Sequence, residues 1–319
     1  MASTMRYLTM NNGLRMPTVG LGTYLMKGDI LKQAVDYALF LGYRHIDTAL
    51  SYGNEVEVGE VVNDRIRSGK NKRKDLFITT KVPCAYLEKD AAIRSGEMSL
   101  ESLKLRHVDL LLIHQPWGNV NRGDGTLKPL NPKGERELQH HDLLETWAAF
   151  EQMHGQNWAK SLGISNFNPK QIQKIWDKAK IKPANLQLEA HAYWQQNKLV
   201  EFCRKKNIVL TAYSPLGAPS KPDKKTDDLV LLEDPQVRQL SVEYKKTPGQ
   251  ILLNFLLLKG MGVLPKSQSF ERIKENFDVL EWKLSSSDFE KLRELDNTVK
   301  YFTNEWAHEH PEFDKSEPF

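Results

Sequence analysis

The chain has 319 residues, 40% hydrophobic and 27% charged, an ordinary composition for a folded protein with a sizeable core. Its 45 basic and 41 acidic residues leave a formal charge of +4 and a pI near 8.8. That mild excess suits an acidic or phosphorylated small ligand and gives no basis for nucleic-acid binding; the densest basic run, residues 65–74, reads as a solvated helix end. Two cysteines, Cys84 and Cys203, without metal spacing exclude a disulfide scaffold and suit a reducing compartment. The start, MASTMRYLTMNNG, has no apolar leader core, and the longest apolar run, residues 251–258, is too short to span a bilayer, so a cytoplasmic protein with no membrane partner is expected.

The first local signal is Asn11-Asn12-Gly13 between strand-like runs at 7–10 and 14–16. Asn-Gly supplies the positive φ angles of a tight turn, so a small hairpin opens the chain. Strand and helix patterns then alternate: strand 19–23, helix 30–41 stopped by Gly42, strand 44–48, helix 55–68 stopped by Gly69, strand 76–81 and helix 91–105. Residues 108–114 are apolar on both faces, as a buried parallel strand is. Residues 118–141, rich in Gly, Pro and charge, read as a long loop. Helix 143–153, strand 161–165, helix 169–180, strand 185–189, helix 197–206 and strand 208–213 follow. A second polar loop covers 217–233, and two helices cover 235–245 and 247–259. Strand 262–265 and helix 270–277 complete the alternation. A helix at 286–297 and an aromatic tail, 299–319, lie outside it.

Strict alternation of strands and helices predicts a parallel sheet. Gly20 and Gly22 lack the spacing of a dinucleotide fingerprint, so the fold expected is a closed (β/α)8 TIM barrel rather than an open sheet. It is expected to form one domain over residues 1–319, with the tail over the active-site face. In such barrels the chemistry sits at the C-terminal ends of the strands. Those ends here carry Asp47, Lys81, His114, Ser165-Asn166, Gln187 and Glu189, Tyr213-Ser214 and Lys266-Ser267. One lysine or histidine at a strand end is ordinary; a polar group on seven successive strands at one rim is not.

These residues, in this order, resemble the aldo-keto reductase family. The matching stretches are 42–60 (GYRHIDTALSYGNEVEVGE), 76–81 (LFITTK), 108–116 (VDLLLIHQP), 161–167 (SLGISNF), 211–217 (TAYSPLG) and 264–277 (LPKSQSFERIKENF). The resemblance spans about residues 5 to 298, and six motifs in register are specific where each alone is only moderately so. The wording is closest to animal members and resembles insect ketosteroid reductases.

The resemblance implies NADPH-dependent reduction of a small carbonyl compound by a monomer. Hydride must come from a nicotinamide, because no side chain carries one. The family tetrad falls on Asp47, Tyr52, Lys81 and His114. Tyr52 is then the proton donor, Lys81 lowers the phenol pKa, Asp47 holds Lys81 charged, and His114 orients the carbonyl oxygen. Ser165, Asn166 and Gln187 would bind the nicotinamide amide, and Tyr213 would stack on its ring. Gly22, Thr23 and Tyr24 border the same cofactor site, and Ser214 and Leu216 fall at pyrophosphate positions. Lys266, Ser267, Ser269 and Arg272 suit a 2′-phosphate, and Glu275 and Asn276 the adenine.

The chain departs from the common family pattern at Tyr24, Pro83-Cys84, Gln115, Gln156-Asn157-Trp158 and His191-Ala192, several of them at the pocket wall. Besides Tyr52 and His114, the substrate wall is expected from Tyr24, Tyr86, Trp117, Phe302 and Trp306, favouring an apolar or bulky carbonyl compound. His308 and His310 lack a third ligand and read as tail surface, so no metal is expected. Crystallins and potassium-channel accessory subunits of the family keep the barrel with little turnover. The intact tetrad argues for an enzyme instead.

Overall fold

A computed structural model describes residues 7–219, 221 and 229–316. Residues 1–6 of the start, 220 and 222–228 of the second loop, and 317–319 of the tail lie outside the described residues.

The hairpin forms as the Asn-Gly turn predicts. Strand β1 (Tyr7–Thr9) pairs antiparallel with β2 (Arg15–Pro17), and Gly13 takes φ 83° in the turn. The Asn11 amide donates to the Pro183 carbonyl at 2.8 Å and the Asn12 amide to Ser161 Oγ at 2.7 Å. Buried Met10 and Met16 pack with Phe77, Leu110, Leu112 and Ala184 of the barrel interior. The hairpin therefore plugs one mouth of the barrel and leaves the other for chemistry.

Eight parallel strands follow in chain order: β3 (Gly20–Gly22), β4 (His45–Asp47), β5 (Phe77–Val82), β6 (Val108–Ile113), β7 (Ala159–Ser165), β8 (Asn185–Glu189), β9 (Val209–Tyr213) and β10 (Gly262–Leu264). The sheet closes on itself where Val263 N–H donates to the Thr18 carbonyl at 2.7 Å and Gly22 N–H to the Pro265 carbonyl at 3.2 Å. The seam needs glycine. A Cβ on Gly20 would sit 2.7 Å from Leu264 Cδ2 and 2.8 Å from His45 Cγ, distances that side chains do not tolerate.

Around the barrel lie α1 (Gly28–Leu41), α2 (Glu55–Arg67), α3 (Lys89–Leu103), α4 (Leu143–Gly155), α5 (Pro169–Lys178), α6 (Asn197–Lys205), α7 (Pro235–Tyr244), α8 (Pro248–Leu258) and α9 (Phe270–Phe277), with α10 (Ser286–Arg293) outside. Local sequence sets their ends. Gly42 ends α1 in the left-handed region, and capping boxes at Asn168/Gln171 and Thr247/Gln250, each with Pro at the first helical position, start α5 and α8. Helix α5 stops two residues before its expected end. The Glu151 carboxylate of α4 takes the N–H groups of Lys180 (2.6 Å) and Ile181 (2.9 Å) that the helix would otherwise use.

Two expected irregular segments are more ordered than their composition implies. Residues 118–141 fold back as a ribbon, with antiparallel bridges between Asn119 and Leu138 and between Leu130 and Arg136. An Arg122–Glu137 ion pair (2.9 Å) joins its limbs. The tail docks on this ribbon through His310, which is buried, not surface as its sequence context suggests. Its Nδ1 accepts from Glu312 N–H at 3.1 Å, and its Nε2 lies 3.0 Å from both the Gly118 N–H and the Gln139 carbonyl. Among the described residues, no helix is long and apolar enough to cross a membrane.

Candidate active site

The open mouth holds a cavity of about 800 Å3. At its floor, three strand ends and one turn bring the tetrad together. Lys81, wholly buried on β5, donates to Asp47 Oδ1 at 2.6 Å, to the Thr48 carbonyl at 2.9 Å and to the Tyr52 hydroxyl at 3.2 Å. Three bonds account for all three ammonium protons. The second Asp47 oxygen accepts from the Gln187 amide at 2.7 Å, so neighbours on both sides fix the carboxylate. Tyr52 reaches the cluster from the short helical turn Leu50–Tyr52 after β4, and its ring meets His114 edge-on with centroids 5.6 Å apart. His114 Nδ1 is 3.2 Å from Ser51 Oγ.

The electrostatics differ in one respect from the sequence expectation. Burial raises the Tyr52 phenol above its ordinary pKa, and the Lys81 charge recovers only part of that rise. Lys81 pulls in the expected direction but loses to desolvation. Burial also works against the Lys81 ammonium; Asp47 and Tyr52 together outweigh it and hold the amine charged. His114 is pushed well below its usual value by burial and then by the Lys81 and Lys128 charges, so its ring is neutral. The floor therefore offers a protonated phenol, a fixed cation and a neutral imidazole around one point in the cavity.

The family of the chain follows from comparison with known proteins. The family model described as "Aldo/keto reductase family" matches residues 18–297. Aldo-keto reductase family 1 member A1-A of Danio rerio is 40% identical over 92% of this chain and 90% of its own. Estradiol 17 beta-dehydrogenase 5 of Mus musculus is 38% identical over 98% of both chains. The chain belongs to the aldo-keto reductase family. The solved structure of the aldose reductase from Schistosoma japonicum matches it with a TM-score of 0.92 and 37% identity, covering 99% of this chain and 100% of that one. Aldo-keto reductases catalyse NADP-dependent carbonyl reduction, so this chain is an oxidoreductase acting on carbonyl groups.

The residues present fit a nicotinamide dinucleotide along the β7–β10 side of the cavity. Asn166, held at φ 63°, donates to the His114 carbonyl at 2.9 Å and Ser165 Oγ at 3.0 Å, and accepts from the Tyr213 hydroxyl at 2.7 Å. Tyr213 thus presents a ring fixed at its far end. Gly22, Thr23, Tyr24, Ser214 and Leu216 also line the cavity. Lys266 lines its far end, and burial together with the like charge of Arg272 pushes its pKa down. A phosphate between these two cations would relieve that repulsion. Ser267 folds onto Ser269, whose hydroxyl caps α9 by accepting from Arg272 N–H. Ser267, Ser269, Arg272, Glu275 and Asn276 continue beyond Lys266 and do not line the cavity itself. Among the described residues, no cluster of His, Cys, Asp and Glu is placed to hold a metal ion.

The substrate side corrects two sequence expectations. Tyr24, Phe302 and Trp306 line the cavity as expected; Tyr86 and Trp117 do not. Tyr86 is buried in the turn Cys84–Tyr86 that leads into α3. Trp117 is 1% exposed and packs against Trp306 (6.0 Å between centroids) and Phe313 (5.1 Å), so it binds the tail to the barrel. Sequence reasoning missed Lys128 and Arg136 of the 118–141 ribbon, which reach the cavity wall. It also missed what Glu189 does. The buried Glu189 carboxylate accepts from Tyr301 N–H (2.6 Å) and Phe302 N–H (3.1 Å) and lies 3.0 Å from His191 Nε2, clamping the tail across the mouth. A carboxylate on a strand end was visible in the sequence; no local pattern marks its partners, 112 and 113 residues away.

Proposed function

We propose that this chain reduces the carbonyl of an aldehyde or ketone to an alcohol with NADPH, and that Tyr52 donates the proton. The observation that carries the proposal is the Tyr52 hydroxyl at the cavity floor, 3.2 Å from a buried Lys81 that Asp47 and Thr48 hold in place. Bound NADPH supplies the hydride.

The rest is the work of the chain's own residues. The neutral His114 ring and the Tyr52 O–H both face the space where a carbonyl oxygen docks, and each can donate a hydrogen bond to it. As negative charge develops on that oxygen, the Tyr52 proton moves to it and Lys81 stabilises the phenolate left behind. The phenol is protonated at neutral pH, and the Lys81 charge offsets part of the cost that burial adds to forming the phenolate. Burial of the cluster keeps the Lys81–Asp47 pair out of water, where its field is strongest. The Lys266–Arg272 pair favours NADPH over NADH, since only the former carries a 2′-phosphate.

NADPH consumption, followed by absorbance across aldehydes, sugars, quinones and ketosteroids, tests the reading. Turnover of at least one class is expected, with kcat/KM for NADPH well above that for NADH. No turnover on any of them overturns the reductase proposal, and a cofactor ratio near one overturns the 2′-phosphate assignment.

A further inference from the structure

The substrate half of the cavity carries a pair of cations that the reduction step does not use. Lys128 and Arg136 stand on the two limbs of the 118–141 ribbon and both line the cavity. They lie on the opposite side from the β9–β10 wall that bears Ser214 and Lys266. Each is close enough to depress other groups electrostatically. Partial desolvation, and then Arg136, pushes the Lys128 ammonium below its ordinary value. Desolvation does the same to the Arg136 guanidinium. The Lys128 charge also reaches His114 and helps to keep it neutral.

The carboxylates nearest in sequence are engaged elsewhere. Glu135 accepts from the Asn131 amide at 3.0 Å and Glu137 is paired with Arg122 at 2.9 Å. Glu305, which also lines the cavity, accepts from the Thr303 hydroxyl at 3.2 Å. Among the described residues, neither Lys128 nor Arg136 forms an ion pair. The Arg136 guanidinium lies over the Trp306 ring at 5.1 Å, which fixes it where loop and tail meet. Lys128 is solvent-exposed and Arg136 partly buried, so the two cations stand at the cavity wall within reach of an entering anion. Of the neighbouring acids of the ribbon, Glu135 is exposed and Glu137 is held by Arg122.

We propose that Lys128 and Arg136 form a carboxylate-binding subsite, and that the carbonyl substrates of this chain carry a carboxylate distal to the reacting carbon. The inference rests on the reductase reading of the same cavity and narrows its substrate class. The carboxylate spans the two cations while the carbonyl oxygen meets Tyr52 and His114. The subsite selects among substrates and takes no part in proton transfer.

The test compares 4-carboxybenzaldehyde with methyl 4-formylbenzoate, a neutral analogue of similar shape and similar electronic effect on the aldehyde. In the unaltered chain the acid is the better substrate by kcat/KM, and its advantage shrinks as salt is added. In Lys128→Met/Arg136→Met the acid-to-ester ratio falls roughly tenfold or more, through KM, because charged hydrogen bonds to the carboxylate are lost. Arg136→Lys keeps most of the preference. An ester that matches or beats the acid in the unaltered chain overturns the subsite, as does a ratio unchanged in the double variant. Quenching of tryptophan fluorescence by terephthalate, compared with dimethyl terephthalate, reads the same subsite without turnover, since Trp306 lies against Arg136. Failure of both aldehydes to react, with terephthalate still bound through the two cations, would sink the reductase reading and leave the subsite standing.

Discussion

The two walls of the cavity are built in different ways. The floor and the β7–β10 wall consist of strand ends whose positions the barrel register dictates. Asp47 faces Thr79 across β4 and β5, and Ser165 faces Gln187 across β7 and β8, so backbone pairing places the side chains before any of them interact. The opposite wall is made of the 118–141 ribbon and the tail. A handful of long-range contacts positions it: Glu189 to the backbone of Tyr301 and Phe302, Gln115 to Asn304 at 3.0 Å, His310 beside Gln139, and Trp117 against Trp306 and Phe313. In the first wall Lys81, Asp47 and Asn166 each have several hydrogen-bond partners. The second depends on these few contacts between segments far apart in sequence. Reaction type is thus tied to the rigid wall and substrate choice to the adjustable one.

The largest effect is expected on the rigid side. Tyr52→Phe removes the proton donor and should lower kcat for reduction by roughly 10^2- to 10^4-fold, with NADPH affinity by fluorescence titration within about twofold of the unaltered chain. Normal turnover by this variant would remove Tyr52 from its role. On the adjustable side, Glu189→Ala strips the acceptor from two tail N–H groups and a histidine. Loss of such buried partners is worth about 1–3 kcal/mol. KM for a bulky carbonyl compound should rise about tenfold while NADPH affinity holds. A parallel loss of both would mean that the walls are not independent, and the contrast would collapse.

The smallest effect separates the barrel's own pH response from the site. Glu55, at the start of α2, is buried against Thr80 and Ser99, and desolvation raises its carboxyl to about 7. A raised pKa means that the folded state holds the proton more tightly than the unfolded chain. This contribution is complete below about 4.3, the unfolded value, and is lost as pH rises through about 7. Between pH 6 and 8 it removes about 1 kcal/mol. Urea midpoints of Glu55→Gln should therefore decline less over that interval than those of the unaltered chain; parallel declines would contradict the buried carboxyl.

The same division explains what could be read from the chain alone. The hairpin, the strand order and the polar strand ends Asp47, Lys81 and His114 were legible because each depends on a short local pattern: Asn-Gly at a turn, a doubly apolar run over Val108–Ile113, a polar residue closing each strand; Tyr52, in a turn, stood out only through the resemblance to the family. Lys128 and Arg136 were not. Their segment, rich in Gly, Pro and charge, has no period, and only the Arg122–Glu137 pair and the folded ribbon turn these two cations toward the cavity. Trp117 shows the opposite error. An aromatic residue three positions after His114 reads as pocket wall, but its ring is spent holding the tail. The Tyr52 phenol was read by its charged neighbour, and the larger influence, the removal of water, has no signature in sequence.

Glu189 has a consequence for how such a protein diversifies. What it grips is the main chain of the tail, not the side chains of Tyr301 and Phe302, so the grip is blind to residue identity. Two positions earlier on the same strand, Gln187 holds Asp47. One strand therefore ends in a handle on the tetrad and a socket for the tail backbone. Substitution at positions 301 and 302 can therefore alter the pocket wall while leaving this grip on the tail, and the tetrad below it, in place.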